Sequence, residues 1–383
     1  MPVVIITGSS SGIGRATAVH FAKHGWQVVL SGRNEANLKE AVKECVAVGA
    51  KEADVAYVVG DLTNHNVLET LIKSAVDKFG RLDCLVNNAG FGVPMAPFVE
   101  SPIEDYDRVF ATNVRSVIQL TKLAIPHIIK TKGTIVNISS VAALTSNPTI
   151  IYYSMTKSAL DQFTQILSLE MAPHGVRVNS VNPALIETNF FTNSGVTKDD
   201  QAMILPRLGS SSGIGRAAAA HFVKHGWQVV LSGRNEANLK EAVKECVAAG
   251  AKESDVAYVV GDLTNHDVLE QLVKTAIDKF GRLDCLVNNA GFGVPMVPFL
   301  EAPIEDYDRV FATNVRSVIQ LTKLCLPHII KTKGTIVNIS SVVALTSNAG
   351  IGYYSMSKSA LDQFTHILSL EMAPHGVRVN SVK

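Results

Sequence analysis

The sequence predicts an α/β protein in which a doubly wound parallel sheet occurs twice, one copy after the other. Residues 8–182 align with residues 209–383 at a constant offset of 201 without a gap, and 22 of the 175 aligned positions differ. Within each copy, short β-branched runs alternate with helix-length amphipathic stretches, which is typical of a parallel sheet with helices on both faces. Runs such as residues 133–138 are apolar on both faces, as fully buried parallel strands are.

The first copy is expected to contain six strands and five helices. The strands are residues 3–7, 26–31, 55–60, 82–87, 133–139 and 176–181, and the helices are residues 12–24, 35–48, 65–79, 103–130 and 152–172. Ligands bind doubly wound sheets at the carboxyl ends of the strands. The residues that follow each strand are therefore the first candidates for a functional site.

The two copies, residues 1–207 and 208–383, are expected to differ at their ends. The first begins with strand 3–7, whereas the second has residues 202–208 in that place, where Pro206 would remove a ladder donor. We therefore expect the second copy to lack its first strand, which lies in the middle of such a sheet, and to be the less stable of the two. The alternative is that residues 202–208 fill the vacant position.

The composition indicates a packed globular chain. Of the 383 residues, 47% are hydrophobic, and 35 Lys and Arg balance 34 Asp and Glu to a net charge of +1. This balance disfavours a dedicated nucleic-acid or anionic-membrane binder. The apolar runs are strand-sized and no leader-like segment stands at the N-terminus, so we expect no membrane span and a cytoplasmic location. Five cysteines without a CxxC pair are expected to be reduced core thiols and no metal site: Cys45, Cys84, Cys246, Cys285 and Cys325.

A glycine-rich turn follows the first strand. Thr7 leads into the motif GxxxGxG at residues 8–14, and Arg15 opens the next helix. Glycines allow a tight turn and let backbone amides approach a pyrophosphate, which then lies at the helix N-terminus. The spacing differs from the usual GxGxxG, but its place after the first strand favours a dinucleotide site. The candidate residues are Gly8, Ser10, Gly12, Ile13 and Gly14.

The end of the second strand bears on the choice between NAD(H) and NADP(H). An acidic residue at this position would accept hydrogen bonds from the ribose 2′-hydroxyl, but here Arg33 follows the strand and no acid stands at its end. A guanidinium pairs with a 2′-phosphate, so NADP(H) is favoured, although a solvated surface Arg is the alternative. Asp61 is a candidate partner of the adenine amino group, or a cap of the next helix.

Four polar residues further along the chain are candidates for the chemistry. Tyr153 and Lys157 are four apart on a predicted helix, so they face the same way. A nearby ammonium would lower the tyrosine pKa toward the range of a general acid/base. Ser140 ends the fifth strand and is placed to donate to a carbonyl oxygen. Asn113 is unfavourable inside the long helix, which suggests a polar role such as bending the helix or holding a water.

Together these motifs resemble those of the short-chain dehydrogenase/reductase family. The glycine motif, the run Asn87-Asn88-Ala89-Gly90 after the fourth strand, and Tyr153-x-x-x-Lys157 with Ser140 thirteen residues upstream follow in the family's order. The resemblance covers nearly all of residues 3–190 and again 209–383. It implies a single-domain Rossmann fold in each copy, which reduces carbonyls or oxidises alcohols with a nicotinamide cofactor.

The resemblance also implies a role for each residue. Tyr153 is the acid/base, Ser140 orients the substrate oxygen, and Lys157 holds the nicotinamide ribose while lowering the tyrosine pKa. Asn113 supports a proton-relay water, and the cofactor cleft is lined by Asn88, Ala89 and Gly90. The matching residues of the second copy are Asn314, Ser341, Tyr354 and Lys358 for the reaction, and Gly209, Gly213, Ile214, Gly215, Arg234, Asp262, Asn289, Ala290 and Gly291 for the cofactor.

Some features depart from the family's pattern. Pro183-Ala184 stands where the family usually has Pro-Gly, and the second copy ends before this position. Neither copy carries the family's final helix and seventh strand. Helices equivalent to 103–130 and 152–172 commonly form dimer interfaces in the family. The two copies are therefore expected to pair within one chain, or the chain to form a homo-oligomer.

The leading hypothesis is an oxidoreductase that transfers a hydride between NADP(H) and a small or medium apolar carbonyl or alcohol. Apolar residues expected near the substrate are Phe91, Val93, Met95, Leu144, Ile186 and Phe190. The alternative is a non-catalytic dinucleotide-binding pseudoenzyme, or a fused gene product with at most one working copy. The catalytic set is intact in both copies, which favours the enzyme.

Overall fold

The computed structural model of the chain describes residues 1–183, 213–346 and 349–383. In these residues, no helix is long and apolar enough to cross a membrane. None of the five cysteines forms a disulfide, and four of them are buried.

The first copy forms the doubly wound parallel sheet that the sequence predicts. Its six strands pair in the order β3-β2-β1-β4-β5-β6, and every pairing is parallel. The strands are β1 (Val3–Ile6), β2 (Gln27–Gly32), β3 (Val55–Val59), β4 (Cys84–Asn87), β5 (Thr134–Ile138) and β6 (Arg177–Val181), and the helices are α1 (Gly12–Lys23), α2 (Glu35–Ala47), α3 (His65–Phe79), α4 (Ile103–Phe110), α5 (Ser116–Thr131) and α6 (Ile151–Met171).

Strand β1 lies at the centre of this sheet. Its four residues have no solvent exposure, and it pairs with β2 on one side and β4 on the other. Val3 and Ile5 belong to one apolar layer, while Val4 and Ile6 belong to the layer on the opposite face. An unbroken apolar run is required here because both faces of a central parallel strand are covered by helices.

The predicted helix 103–130 is wrong as a continuous α-helix. It consists of α4, a π-helical turn over Ala111–Arg115, and α5. A π-turn inserts one extra residue into the helix and often marks a functional position. Asn113 lies in this turn with 1% exposure, so the residue that is unfavourable by propensity is the one that lies in the irregular turn.

The second copy forms two separate sheets in the described residues. Strands β7 and β8 pair in one, and β9, β10 and β11 pair in the other, all in parallel. The strands are β7 (Val229–Gly233), β8 (Val256–Val260), β9 (Cys285–Asn288), β10 (Thr335–Ile339) and β11 (Arg378–Val382), and the helices are α7 (Gly213–Lys224), α8 (Glu236–Ala248), α9 (His266–Phe280), α10 (Ile304–Phe311), α11 (Ser317–Thr332) and α12 (Gly352–Met372).

No described residue supplies a strand that joins β7 to β9. The absence of the first strand from this copy therefore stays a prediction. Residues 202–208, the alternative occupant, lie outside the described residues. A cavity of about 490 Å³ lies in this region, and its walls include Val230, Leu272 and Cys285. The described residues of the second copy therefore form two sheets, with this cavity beside the first residues of β7 and β9.

The two copies pack against each other inside the chain through α6 and α12. Two reciprocal ion pairs flank this contact, since Arg115 meets Asp308 at 2.7 Å and Arg316 meets Asp107 at 2.7 Å. Aromatic pairs cross it as well, with Phe98 and Phe364 centroids 5.1 Å apart. One apolar core runs through both copies. This is the intrachain pairing that the sequence leads us to expect.

Substitution of the equivalent residues Leu71 and Leu272 tests whether the two copies are equally well packed at the middle of their sheets. Leu71 has no exposure beside β1, whereas Leu272 lines the cavity. We expect Leu71→Ala to lower the free energy of unfolding by about 2–5 kcal/mol. We expect Leu272→Ala to lower it by less than half as much, because a side chain that lines a cavity has fewer contacts to lose. Urea denaturation of the full chain followed by far-UV circular dichroism measures both. Equal losses would show that the second centre is as well packed as the first.

Candidate active site

The glycine motif forms a tight turn between β1 and α1. Gly8 and Gly12 have φ of 65° and 54°, in the left-handed region that favours glycine. Gly14 is buried against the same turn, where a Cβ would come within 2.5 Å of the Gly8 carbonyl oxygen. The turn therefore requires glycine at these three positions.

The N-terminus of α1 faces this turn without a side-chain cap. Ser11 occupies the N-cap position, and its hydroxyl makes no capping hydrogen bond. Ser10 lies against Gly32 at the end of β2, where a Cβ on Gly32 would come within 2.9 Å of the Ser10 hydroxyl oxygen. Ile13 is half-buried in the first turn of the helix. Uncapped amides beside a glycine cradle fit a pyrophosphate.

The turn after β4 is tied to the glycine turn. The Asn88 side chain donates to the Thr7 carbonyl at 2.8 Å, and the backbone amides of Asn88 and Ala89 both donate to the Thr7 hydroxyl at 3.0 Å. Gly90 then passes close to the polar residues of the site, since a Cβ there would lie 3.2 Å from Asn113 Oδ1 and 3.5 Å from Lys157 Nζ. Residues 88–90 thus connect the cofactor turn to the candidate catalytic residues.

Arg33 is exposed at the end of β2 and lies near Asp61. Its Nη1 is 3.8 Å from Asp61 Oδ2, and its side chain is 74% exposed. Asp61 accepts from the backbone amide and the hydroxyl of Thr63 at 2.9 and 2.8 Å. The possibility that Asp61 caps α3 is wrong, because the N-cap of that helix is Asn64, which accepts from Asn66.

Tyr153, Lys157 and Ser140 converge where β5 ends. Tyr153 and Lys157 lie on α6, and Lys157 Nζ is 5.5 Å from the centroid of the tyrosine ring. The ammonium donates to the carbonyl of Ile138, the last residue of β5, at 2.7 Å. Ser140 caps a short 3₁₀ turn, accepts from the Ala142 amide at 3.1 Å, and hydrogen-bonds to Tyr153. The strand end and one helix face therefore position all three side chains.

The pKa of Tyr153 differs from the expectation. Burial raises it to about 12, with a smaller opposing effect from the Ser140 hydrogen bond. Burial also lowers the pKa of Lys157 to about 8. The tyrosine pKa is thus raised and not lowered, so the expected net direction is wrong for this structure. The physical reason is that desolvation dominates at Tyr153 while Lys157 is engaged with the Ile138 carbonyl.

Asn113 is held beside these residues by the π-turn. Its Nδ2 donates to the Phe91 carbonyl at 2.9 Å and to the Thr156 hydroxyl at 3.2 Å, and its Oδ1 accepts from the Phe91 amide at 3.1 Å. These bonds join α6 to the segment that follows Gly90. Asn113 therefore has polar partners in an irregular turn of the helix, whereas bending of the helix and support of a water remain predictions.

The second copy repeats the arrangement of the candidate catalytic residues. Lys358 donates to Ile339 at 2.7 Å and lies 5.6 Å from the Tyr354 ring centroid, and burial lowers its pKa to about 8. Asn314 donates to Phe292 at 3.0 Å, and Ser341 accepts from Val343 at 3.4 Å.

The cofactor residues of the second copy are only partly described. Gly213, Ile214 and Gly215 open α7, and Arg234 lies 3.6 Å from Asp262. Gly209 lies outside the described residues. After β9, Asn289 and Ala290 precede Gly291, where a Cβ would lie 3.3 Å from Lys358 Nζ.

The expected substrate residues are only partly brought together. Val93 is buried and Phe91 and Met95 are half-buried, whereas Leu144 is 75% exposed. Ile186, Phe190 and Ala184 lie outside the described residues.

Two positioning residues were not foreseen. Arg15 donates to the carbonyls of Ser10 and Asn37 at 2.7 and 3.0 Å and fixes the glycine turn, and Thr7 receives the bonds from the β4 turn. Both residues flank the glycine motif in the sequence, and this position was the feature from which their roles could have been inferred.

Comparison with known proteins identifies the family. The model of the short chain dehydrogenase family matches residues 2–199 and 207–383, so the chain belongs to this family of oxidoreductases and carries it in tandem. It is 34% identical over 225 residues to L-fucose dehydrogenase of Rattus norvegicus, covering 56% of this chain and 81% of the relative. It is 37% identical over 187 residues to meso-2,3-butanediol dehydrogenase of Serratia marcescens, covering 49% of this chain and 72% of the relative.

One solved structure resembles the chain over almost its whole length. The N-domain of a bacterial malonyl-CoA reductase with NADP covers 99% of this chain and 90% of its own, with a TM-score of 0.77 and 18% identity. This likeness shows the fold alone. It extends over both copies, as a tandem arrangement requires.

Proposed function

We propose that the first copy is an NADP(H)-dependent oxidoreductase that interconverts a small or medium apolar carbonyl compound and its alcohol. The observation that carries the proposal is the convergence of Tyr153, Ser140, Lys157 and Asn113 beside Gly90. The relatives named above are dehydrogenases, which supports the reaction type. The half-buried and buried Phe91, Val93 and Met95 favour an apolar substrate.

Tyr153 acts as the proton donor in carbonyl reduction. Bound NADPH would supply the hydride to the carbonyl carbon, and the reduction is completed by one proton to the oxygen. A tyrosine with a pKa of about 12 is fully protonated at neutral pH, so its hydroxyl can donate the proton to the carbonyl oxygen. Ser140 hydrogen-bonds to Tyr153 and is placed to orient the same oxygen.

Lys157 supports this transfer electrostatically. With a pKa of about 8 it is mostly charged at neutral pH, and its charge next to the tyrosine ring stabilises the phenolate that remains after proton transfer. Residues 8–14 would hold the pyrophosphate, and Lys157 the nicotinamide ribose. Asn113 would position a water through which the phenolate is reprotonated.

Two observations support NADP(H) over NAD(H). No acid ends β2, and the Arg33 side chain is exposed there with only a 3.8 Å contact to Asp61. A guanidinium that is free to turn toward a 2′-phosphate would form charge-assisted hydrogen bonds with it. We assign the reaction to the first copy, because the strand that carries the glycine turn in that copy has no described counterpart in the second.

Paired tyrosine variants test the assignment of the reaction. We expect Tyr153→Phe to lower kcat by about 10²–10⁴-fold, the range of general acid catalysis, and Tyr354→Phe to leave it nearly unchanged. Turnover of NADPH with a panel of apolar ketones measures both. NADPH binding by each variant, followed by fluorescence, is the control for an intact fold. Retained turnover in Tyr153→Phe would reject the role of the tyrosine.

Paired arginine variants test the cofactor. We expect Arg33→Glu to raise the Kd for NADPH at least about tenfold, the equivalent of one charge-assisted hydrogen bond, with a smaller change for NADH. Arg234→Glu, the same change in the second copy, should alter neither Kd. Equal effects of Arg33→Glu on the two cofactors would rule out recognition of the 2′-phosphate.

A further inference from the structure

Each copy reaches across the intrachain contact with one buried glutamine. Gln363 lies on α12 of the second copy, and Gln162 lies at the equivalent position on α6 of the first, with 5% and 3% exposure. Gln363 Nε2 donates to the Ala142 carbonyl at 3.2 Å and to the Thr145 carbonyl at 2.8 Å. One side chain of the second copy thus gives both of its N–H groups to the backbone of the first.

These two bonds end on the turn that follows Ser140. The turn is the 3₁₀ segment Val141–Ala143, and Ser140 caps it by accepting from the Ala142 amide at 3.1 Å. Gln363 binds the carbonyl of the same Ala142. The Ser140 hydroxyl, which hydrogen-bonds to Tyr153, therefore shares Ala142 as a partner with a side chain of the second copy.

The two ends of this turn are fixed by different copies. At the near end, the Asn182 side chain of the first copy donates to the Ser140 carbonyl at 3.2 Å. At the far end, Leu144 is 75% exposed and residues 145–147 are exposed as well, so apolar packing contributes little there. The bonds from Gln363 therefore anchor the far end.

Gln162 makes the same bonds in the opposite direction. It donates to the carbonyls of Val343 and Thr346 in the second copy at 3.1 and 2.8 Å. These residues are the equivalents of Ala142 and Thr145 at the offset of 201. Each copy thus supports the turn that carries the other copy's serine, and the two glutamines form a matched pair for experiment.

The second copy also holds the segment that follows Gly90. The Phe98 amide donates to Glu371 Oε2 at 3.0 Å, and the Phe98 ring lies 5.1 Å from that of Phe364. The expected substrate residues of the first copy belong to the same segment, at positions 91–95. Two segments of the candidate site, one after β4 and one after β5, are therefore bound by the second copy.

We propose that Gln363 of the second copy is a positioning residue for the reaction of the first copy. It holds the turn after β5 so that the Ser140 hydroxyl meets Tyr153 and the substrate oxygen, and this inference rests on the proposed function. Misplacement of a reacting group by about 1 Å can slow a reaction by about 10²-fold. The second copy would thus contribute to the first copy's reaction whether or not it binds a cofactor.

Hydrogen exchange of the full chain tests the hold on the turn without reference to activity. Gln363→Met keeps the approximate volume of the side chain but removes both N–H groups. We expect it to speed exchange in residues 139–147 by about tenfold, the equivalent of one lost hydrogen bond. Gln162→Met should speed exchange in residues 340–348 instead. Mass spectrometry separates the two segments because their sequences differ at one position, and the melting temperatures of both variants serve as the folding control.

Kinetics with NADPH and an apolar ketone test the consequence for the reaction. Gln363→Met should lower kcat by about 10–10²-fold and leave the Kd for NADPH nearly unchanged, because its bonds end on the turn after β5 and not on the glycine turn. Gln162→Met, with the same loss of bonds at the same contact, should leave kcat nearly unchanged. In a Ser140→Ala background, Gln363→Met should lower kcat by less than about twofold, because both residues act through the same hydroxyl.

Unchanged exchange in residues 139–147 of Gln363→Met would overturn the inference, as would an unchanged kcat. An equal loss of kcat in both glutamine variants, or a full further loss in the Ser140→Ala background, would overturn it as well, since either indicates a general weakening of the contact. Faster exchange in a chain that reduces no ketone would contradict the proposed function and still support the hold of Gln363 on the turn.

Discussion

The central parallel strand is the constraint on which the rest of each copy depends. In the first copy, β1 joins the two halves of the sheet, fills both apolar layers and ends in the glycine turn. Its last pairing leads directly to Thr7, whose carbonyl and hydroxyl hold the turn after β4. One run of four apolar residues therefore sets both the core and the geometry of the cofactor cradle.

The described residues of the second copy show how much of the fold is present without a described central strand. Its catalytic residues keep the same bonds as in the first, including Lys358 to Ile339 and Asn314 to Phe292. These residues lie on β10, α12 and the π-turn, all of which pack on the half of the sheet that contacts the first copy. The shared apolar core includes residues of that half. The described part of this copy thus keeps the arrangement of the candidate catalytic residues.

The sequence alone was enough to predict an element where one local property of the residues determines its structure. Apolar runs predicted every strand of the first copy, whereas the effect of Pro206 falls outside the described residues. Pairing of the long helices followed from the resemblance to the family. The π-turn at Asn113 was visible only as an unfavourable residue, because the bonds that hold it come from Phe91 and Thr156, far away in the chain.

Properties that depend on burial could not be predicted in the same way. The pKa of Tyr153 depends on how completely the packed site excludes water, and this cannot be derived from spacing along one helix. The cavity of the second copy is lined by residues of several elements, including α7, β7, α9 and α11, which become neighbours only in the fold.

Counting cofactor sites tests the central claim, that the cradle depends on the central strand, most directly. The full chain is titrated with NADPH, and the number of sites is taken from the fluorescence change. The account predicts one site per chain, which is lost in Gly14→Val and retained in the equivalent variant Gly215→Val. Two equal sites, or a single site abolished only by Gly215→Val, would contradict it.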